Sequence, residues 1–420
     1  MLTKYKLREL IDVTRGMSLP GEYYSETGEY IRLTMGNFNY NGGGFKENTS
    51  KTDIYYTGPV REEFILNKGD IITPLTEQAI GLLGTTAMIP ESGKYIQSQD
   101  VALISCKQDK IDHLFCYYLI SSDIVKKQLS AAAQQTKIRH TSPDKIMDCS
   151  VWIPEMKLQQ KIGKTLYEID QKIALNTRMN AELEAMTKQF YDYWFVQFDF
   201  PDENGKPYKS SGGKMVYNPT LKREIPAGWE VKGLGDVLTF SNGINYEKGI
   251  EGDKEYKIIN VRNITSSSVY INKSELDTIS LPSKQAGNYL IEENDIIIAR
   301  SGTPGSTRLI DNPIDVIYCG FIIKGSPIDS AYKYYVTFFL KQLEGTQATK
   351  TGGSILQNVS QETLKSLNLV LPGKHLFTTF NEKIKALFTL LNKKQDENNE
   401  LTHLRDSLLQ MLMNGQVTVE

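Results

Sequence analysis

The sequence has no surplus of basic charge: 48 lysines and arginines stand against 50 aspartates and glutamates, a net charge of −2. A chain that grips nucleic acid over its whole surface usually carries a basic excess. Any such contact here is expected from a local patch, or with a partner supplying much of the phosphate attraction. Cysteine is scarce. Cys106, Cys116, Cys149 and Cys319 show neither CxxC spacing nor a disulfide framework. Free thiols in a reducing cytoplasm are expected, and a cysteine-based zinc site is not. The four histidines are as scattered. No apolar run reaches the roughly 18 residues of a membrane span, and Met1-Leu2-Thr3-Lys4-Tyr5-Lys6 leads into no signal-peptide core. A GxxxxGK[ST] phosphate loop is missing, as is the acidic-Pro-Pro-aromatic tetrapeptide of an adenine methyltransferase. Pro201-Asp202 followed by Glu230-Val231-Lys232 has the outline of a nuclease metal site. The first pair sits among turn formers, however, and Glu-x-Lys arises by chance in any charged chain. No catalytic residue, metal or cofactor is therefore expected.

What is present is a long helical pattern that occurs twice. Leu158, Ile162, Leu166, Ile169, Ile173, Leu183, Met186, Phe190 and Trp194 are separated mostly by threes and fours, the spacing of a helical seam. An offset of 218 residues (376 − 158) reproduces them as Leu376, Phe380, Ile384, Leu387, Leu391, Leu401, Leu404, Leu408 and Leu412. The polar interruption repeats too: Asn176 and Asn180 become Lys394 and Asn398. A helix of about 40 residues is about 60 Å long, too long to stand alone, and the natural partner of each copy is the other. An antiparallel pair related by a pseudo-twofold axis would bring the midpoints Asn176 and Lys394 together. Two readings stand for that layer: a polar step that fixes register in an apolar seam, or side chains facing solvent or a partner.

The segments around the helices also repeat. Leu7–Val13 is echoed by Val231–Val237, Tyr30–Phe38 by Tyr256–Ile264, Gly69–Ile72 by Asn294–Ile297, and Lys137–Ser142 by Ile355–Ser360. Ile153-Pro154 returns as Leu371-Pro372. The expected fold class is α+β: two similar α/β domains separated by two long antiparallel spacer helices. The expected bounds are 1–153 for the first domain, 154–198 for the first helix, 199–224 for a linker dense in turn formers, 225–371 for the second domain and 372–414 for the second helix. Shared frames with divergent loops suggest one scaffold carrying two surfaces.

With Lys206-Pro-Tyr-Lys-Ser-Ser-Gly-Gly-Lys214, Ile225-Pro-Ala-Gly-Trp-Glu230, Asn294-Asp-Ile-Ile-Ile-Ala-Arg-Ser-Gly-Thr-Pro-Gly305 and Leu158-Gln-Gln-Lys-Ile162 in this order around the repeat, the chain resembles the DNA-specificity subunit of Type I restriction–modification systems along nearly its whole length. The resemblance implies a non-catalytic subunit whose two target-recognition domains each read one half of a split sequence on double-stranded DNA, the helices setting the gap. It implies two methyltransferase (modification) subunits as partners, which bind S-adenosylmethionine and methylate adenine. Restriction and translocase subunits can join them; no membrane is involved. The first half departs from the pattern at Gly69-Asp-Ile-Ile-Thr-Pro-Leu-Thr-Glu-Gln78, leaving Arg300 without a clear counterpart.

Base reading uses Arg against guanine and Asn or Gln against adenine, while Lys, Ser and Thr suit phosphates. Candidate DNA contacts are Arg300, Ser301 and Thr303 after a buried strand, and Arg262 and Asn263. Their first-half counterparts are Asn37 and Tyr40, with Gln78 in the departing loop. Gln135, Lys137, Arg139, Lys350, Ser354 and Gln357 lie in two equivalent loops before the helices. For each the plain alternative is a structural turn or hairpin. Asn176, Asn180, Lys394 and Asn398 are the candidate register residues of the helix pair. Two rival functions stand: a two-headed scaffold that binds proteins without DNA specificity, favoured by the near-neutral charge, and a nuclease in its own right.

Overall fold

The computed structural model describes residues 2–39, 43–49, 51–77, 81–132, 139–246, 252–344 and 359–413. The chain divides into two compact units, Met1–Leu175 with Glu400–Glu420, and Asn176–Asn399. Both long helices form, Met156–Tyr191 and Lys374–Met413, and the unit boundary falls within each. Among the described residues no helix is long and apolar enough to cross a membrane.

In the first unit, the continuous apolar strands Val101–Cys106 and Ile71–Pro74 lie at the centre of a four-stranded antiparallel sheet. Ile11–Arg15 and Ala87–Met88 are its edges. A second sheet orders Tyr24–Ser25, Tyr55–Tyr56, Tyr30–Arg32 and Tyr95–Ile96, its last pair parallel. Thr3–Lys6 pairs with Ser150–Ile153, so the chain's entry is tied to the strand that feeds the first long helix. The pattern over 112–129 predicts one helix. It forms two, His113–Ser121 and Asp123–Ala132, because Ser122 leaves helical geometry at ψ 155°.

The second unit repeats this plan. Leu238–Asn242, Ile322–Pro327, Ile296–Ala299 and Thr307–Arg308 form the four-stranded sheet. Lys254–Ile259 pairs antiparallel with Asp277–Leu281 and parallel with Val316–Tyr318, and Glu230–Gly233 pairs with Asn368–Leu371. The turn-rich stretch is folded rather than slack. Met215–Asn218 and Arg223–Pro226 form a hairpin, Asp199 accepts hydrogen bonds from the Ser210 amide (2.7 Å) and hydroxyl (2.6 Å), and Phe200 stacks between Tyr208 and Trp229. The first helix ends in a widened turn, Asp192–Val196, whose Trp194 and Phe195 are buried. In the aromatic run Phe190-Tyr191-Asp192-Tyr193-Trp194-Phe195, Tyr191, Trp194 and Phe195 join the core, while Tyr193 stays exposed.

The helices run antiparallel within each unit. In the second, Trp194 meets Phe380, their ring centroids 5.8 Å apart, and in the first Asp170 meets Arg405. Two expectations need correction. Asn176 does not meet Lys394; its amide donates to Asn398 Oδ1 at 3.0 Å, one turn further along (398 − 394 = 4 residues). A neutral amide pair can be buried at modest cost, an ammonium cannot. Lys394 accordingly stays partly exposed and pairs with Glu397 at 2.7 Å. Asn176, Asn180 and Asn398 are all buried. The seam also turns away from Met186 and Leu404, which are 43% and 48% exposed, in favour of Thr187 and Arg405. The error falls at the same place in both copies, where 3.6 residues per turn outruns a run of threes and fours.

The Asn176–Asn398 bond is the polar step of the seam. Asn176→Ala should cost about 1–3 kcal/mol by removing the buried donor to Asn398 Oδ1, and the double alanine should cost less than the two singles together. Denaturant unfolding of the four proteins of this cycle measures it; strictly additive losses would show that the pair is not coupled.

Candidate nucleic-acid interface

A polar residue three positions ahead of an asparagine closes an equivalent turn in each unit. Asn37 Oδ1 accepts from the Thr34 amide at 2.9 Å, and its Nδ2 donates to the Lys46 carbonyl at 3.3 Å. Asn263 Oδ1 accepts from the Asn260 amide at 2.8 Å, and its Nδ2 donates to the Glu275 carbonyl at 3.1 Å. Both asparagines are 2% exposed. Their amides are consumed in holding the turn, which removes them as base readers. They shape the turn that presents their neighbours. Arg262, beside Asn263, is well exposed and rests against Asp277.

The loop after each central strand is anchored in the same way. In the first unit the Leu75 carbonyl accepts from the Thr141 amide at 2.9 Å, and in the second the Arg300 carbonyl accepts from the Val359 amide at 2.8 Å. Arg300 therefore has a backbone counterpart, and it is the buried Leu75. The side chains differ completely on one frame. Around Arg300 the chain turns tightly: Gly305 donates to the Ala299 carbonyl and Ser306 to that of Thr303. Gly302 has φ +77° and lies so close to Val261 that a Cβ there would approach its methyl to 2.9 Å. That contact brings the Arg300 loop against the turn carrying Arg262. Arg300 and Ser301 are half-buried, and no carboxylate among the described residues pairs with Arg300. Thr303 Oγ1 is buried without a partner among the described residues, so it faces inward.

Arg139 is the other correction. It does not project outward; it lies against Glu77 at 3.0 Å and donates to the Ser130 carbonyl and hydroxyl. Glu77 is 2% exposed. This pair was invisible in the sequence, where two charges in polar loops look like solvated surface. So was Arg308 with Glu344 in the second unit, at 2.9 Å. Tyr40, Gln78, Gln135, Lys137, Lys350, Ser354 and Gln357 lie outside the described residues. Among the described residues, no group of histidine, cysteine, aspartate and glutamate side chains could hold a metal ion.

The Type I restriction modification DNA specificity domain family matches residues 2–185 and 226–403, once for each half. The chain belongs to this family. The specificity domains are similar to the MjaIX specificity subunit of a Type I restriction enzyme from Methanocaldococcus jannaschii, 23% identical over 323 residues, covering 74% of this chain and 71% of that one. They are also similar to the HindI specificity subunit from Haemophilus influenzae, 23% identical over 327 residues, covering 65% and 70%. The crystal structure of a Type-I restriction-modification system S subunit from M. genitalium has the same fold, with a TM-score of 0.56 at 15% identity over 98% of this chain and 96% of that one.

Asn263→Ala should lose the turn closure and cost about 1–3 kcal/mol, whereas Arg262→Ala should stay within about 0.5 kcal/mol of the parent. Thermal unfolding of the two variants checks this. The reverse order would show that the turn does not depend on the asparagine.

Proposed function

We propose that this chain is the non-catalytic targeting subunit of a methyltransferase complex and reads a bipartite sequence on double-stranded DNA. Each specificity domain reads one half-site, and the long helices set the distance between the halves. The observation that carries the reading is the shared frame with opposite chemistry. Leu75 and Arg300 hold equivalent backbone positions, yet one is buried and apolar while the other carries a guanidinium on the loop that packs against Val261. Two copies of one scaffold with different loop chemistry suit two different half-sites, as protein repeat symmetry sets half-site arrangement on a duplex. The near-neutral net charge fits a local contact patch with partners supplying further phosphate attraction.

Arg262, Arg300 and Ser301 form the proposed contact set in the second domain. Gln78, Tyr40, Gln135 and Lys137 remain proposed contacts of the first domain, and Lys350, Ser354 and Gln357 of the second, on the sequence argument alone. The partners are two modification subunits. In support, each unit leaves an apolar ridge at equivalent helix positions: Met186, Phe190 and Tyr193 in one, Leu404, Leu408 and Met411 in the other. Met186, Tyr193 and Leu404 are exposed, while Phe190, Leu408 and Met411 are half-buried, and apolar side chains at i, i+4, i+7 suit a partner helix. A repeated ridge suits two copies of one partner.

Arg300→Ala should weaken reading of one half-site by about 1–3 kcal/mol, seen as relaxed methylation at that half alone. Equal loss at both halves with folding intact would contradict domain-by-domain reading. Removing one heptad from each long helix should change the number of bases between the half-sites. Methylation mapping reads that number, and an unchanged gap would sink the ruler.

A further inference from the structure

Each domain carries a buried Arg–Glu ion pair beside its central sheet. In the first domain both partners lie on a two-stranded ladder beside the four-stranded sheet. Glu77 lies in the short strand Thr76–Glu77, which pairs with Arg139–His140 in a register that sets Glu77 across from Arg139. Glu77 Oε1 takes the Arg139 guanidinium at 3.0 Å. Its Oε2 accepts three successive backbone amides, Gly81 at 3.0 Å, Leu82 at 2.9 Å and Leu83 at 3.0 Å. One carboxylate thus gathers the ends of two segments, the one leaving the sheet after residue 77 and the one returning at residue 139. In the second domain the base belongs to the sheet side. Arg308, on the strand beside the central one, donates to Glu344 at 2.9 Å and to the carbonyls of Ser267 and Thr307 at 2.7 Å. Glu344 follows the helix Lys333–Gln342 and also accepts the Thr307 amide at 2.8 Å.

We propose that Glu77–Arg139 and Arg308–Glu344 are positioning pairs for DNA reading, one per half-site, which fix the described segments at the sheet in each domain, residues 77 and 81–83 with Arg139 in the first and Thr307–Arg308 with Glu344 in the second. The proposal rests on the reading of the chain as a DNA-specificity subunit. Neither pair is placed as a surface ion pair would be: Glu77 and Arg308 are 2% and 9% exposed at the side chain. Removing one partner of a buried pair strands a charge and frees what it held. A contact set loosened by about an ångström loses on the order of a hundredfold in effect, so discrimination suffers before folding does. The two pairs lie in different units, and each should act on its own half-site.

The test uses the full chain co-expressed with its modification subunits. Methylation is read on plasmids carrying the intact target, or the target altered in one half or the other. Arg139→Ala, Arg139→Lys, Glu77→Gln and Arg308→Ala are compared with the parent. Glu77→Gln retains an oxygen for the three amides and replaces the acceptor of Arg139 with an NH2 group, which removes the ion pair. The expected result is that Arg139→Ala and Glu77→Gln lose discrimination on the order of a hundredfold at one half-site only. Arg308→Ala should lose it at the other half, and Arg139→Lys should recover part of the loss. Full discrimination in all variants overturns the proposal. So does an even loss at both halves that tracks thermal stability, as structural ballast would give. If the parent chain itself confers no sequence dependence, the DNA reading falls and this proposal with it; that outcome is seen in the parent before any variant is made.

Discussion

Neither long helix can stand alone in water, and that constraint shapes the rest of the molecule. A helix of 36 or 40 residues with an apolar stripe must bury that stripe along its length. Local propensity alone does not stabilise it; packing does. Each helix finds its partner in the copy of itself later in the chain. In the second unit, Trp194 against Phe380 and Asn176 against Asn398 fix the direction and the register. In the first unit, Arg405 against Asp170, with the Tyr118 hydroxyl donating to the same carboxylate at 2.6 Å, ties the first domain's helix His113–Ser121 to the pair. The second unit meets the same demand with aromatic rings, Phe388 against Tyr270, Tyr334 and Phe338. One architecture is held by a buried charged network in one half and by ring packing in the other.

The same economy governs the domains. The frame is repeated down to single hydrogen bonds: the asparagine-closed turn and the carbonyl that receives the returning chain. What varies is the side chain at a fixed backbone position. A scaffold that keeps its backbone contacts while changing its side chains can change what it touches without changing how it folds. The glycine at 302 matters in this respect, since only a residue without a Cβ lets the Arg300 loop close on Val261.

Much of this is readable from the residues. The 218-residue offset exposes the repeat, the period exposes the helices, and the strands around Ile71 and Ile296 announce themselves as apolar runs. The register of the pair is not readable, because periodicity constrains the face of a helix and says nothing of its sliding position. An asparagine pair and an ammonium–asparagine pair look alike as polar gaps, and only desolvation decides between them. The site misleads for a related reason. Asn37, Asn263 and Arg139 have the chemistry of base readers, and the fold spends that chemistry internally, on backbone amides and on Glu77. Functional and structural hydrogen bonds use the same residue types, so type and spacing cannot separate them. Arg262 is left well exposed and Arg300 half-buried, and they stay among the proposed contacts.

The measurement that tests the account most directly is a map of adenine methylation across the genome of cells expressing this chain with its modification subunits, against cells lacking only this chain. The account predicts a split motif with a fixed gap that vanishes when the chain is absent. An unchanged pattern, with the methyltransferase shown to be active, would contradict it.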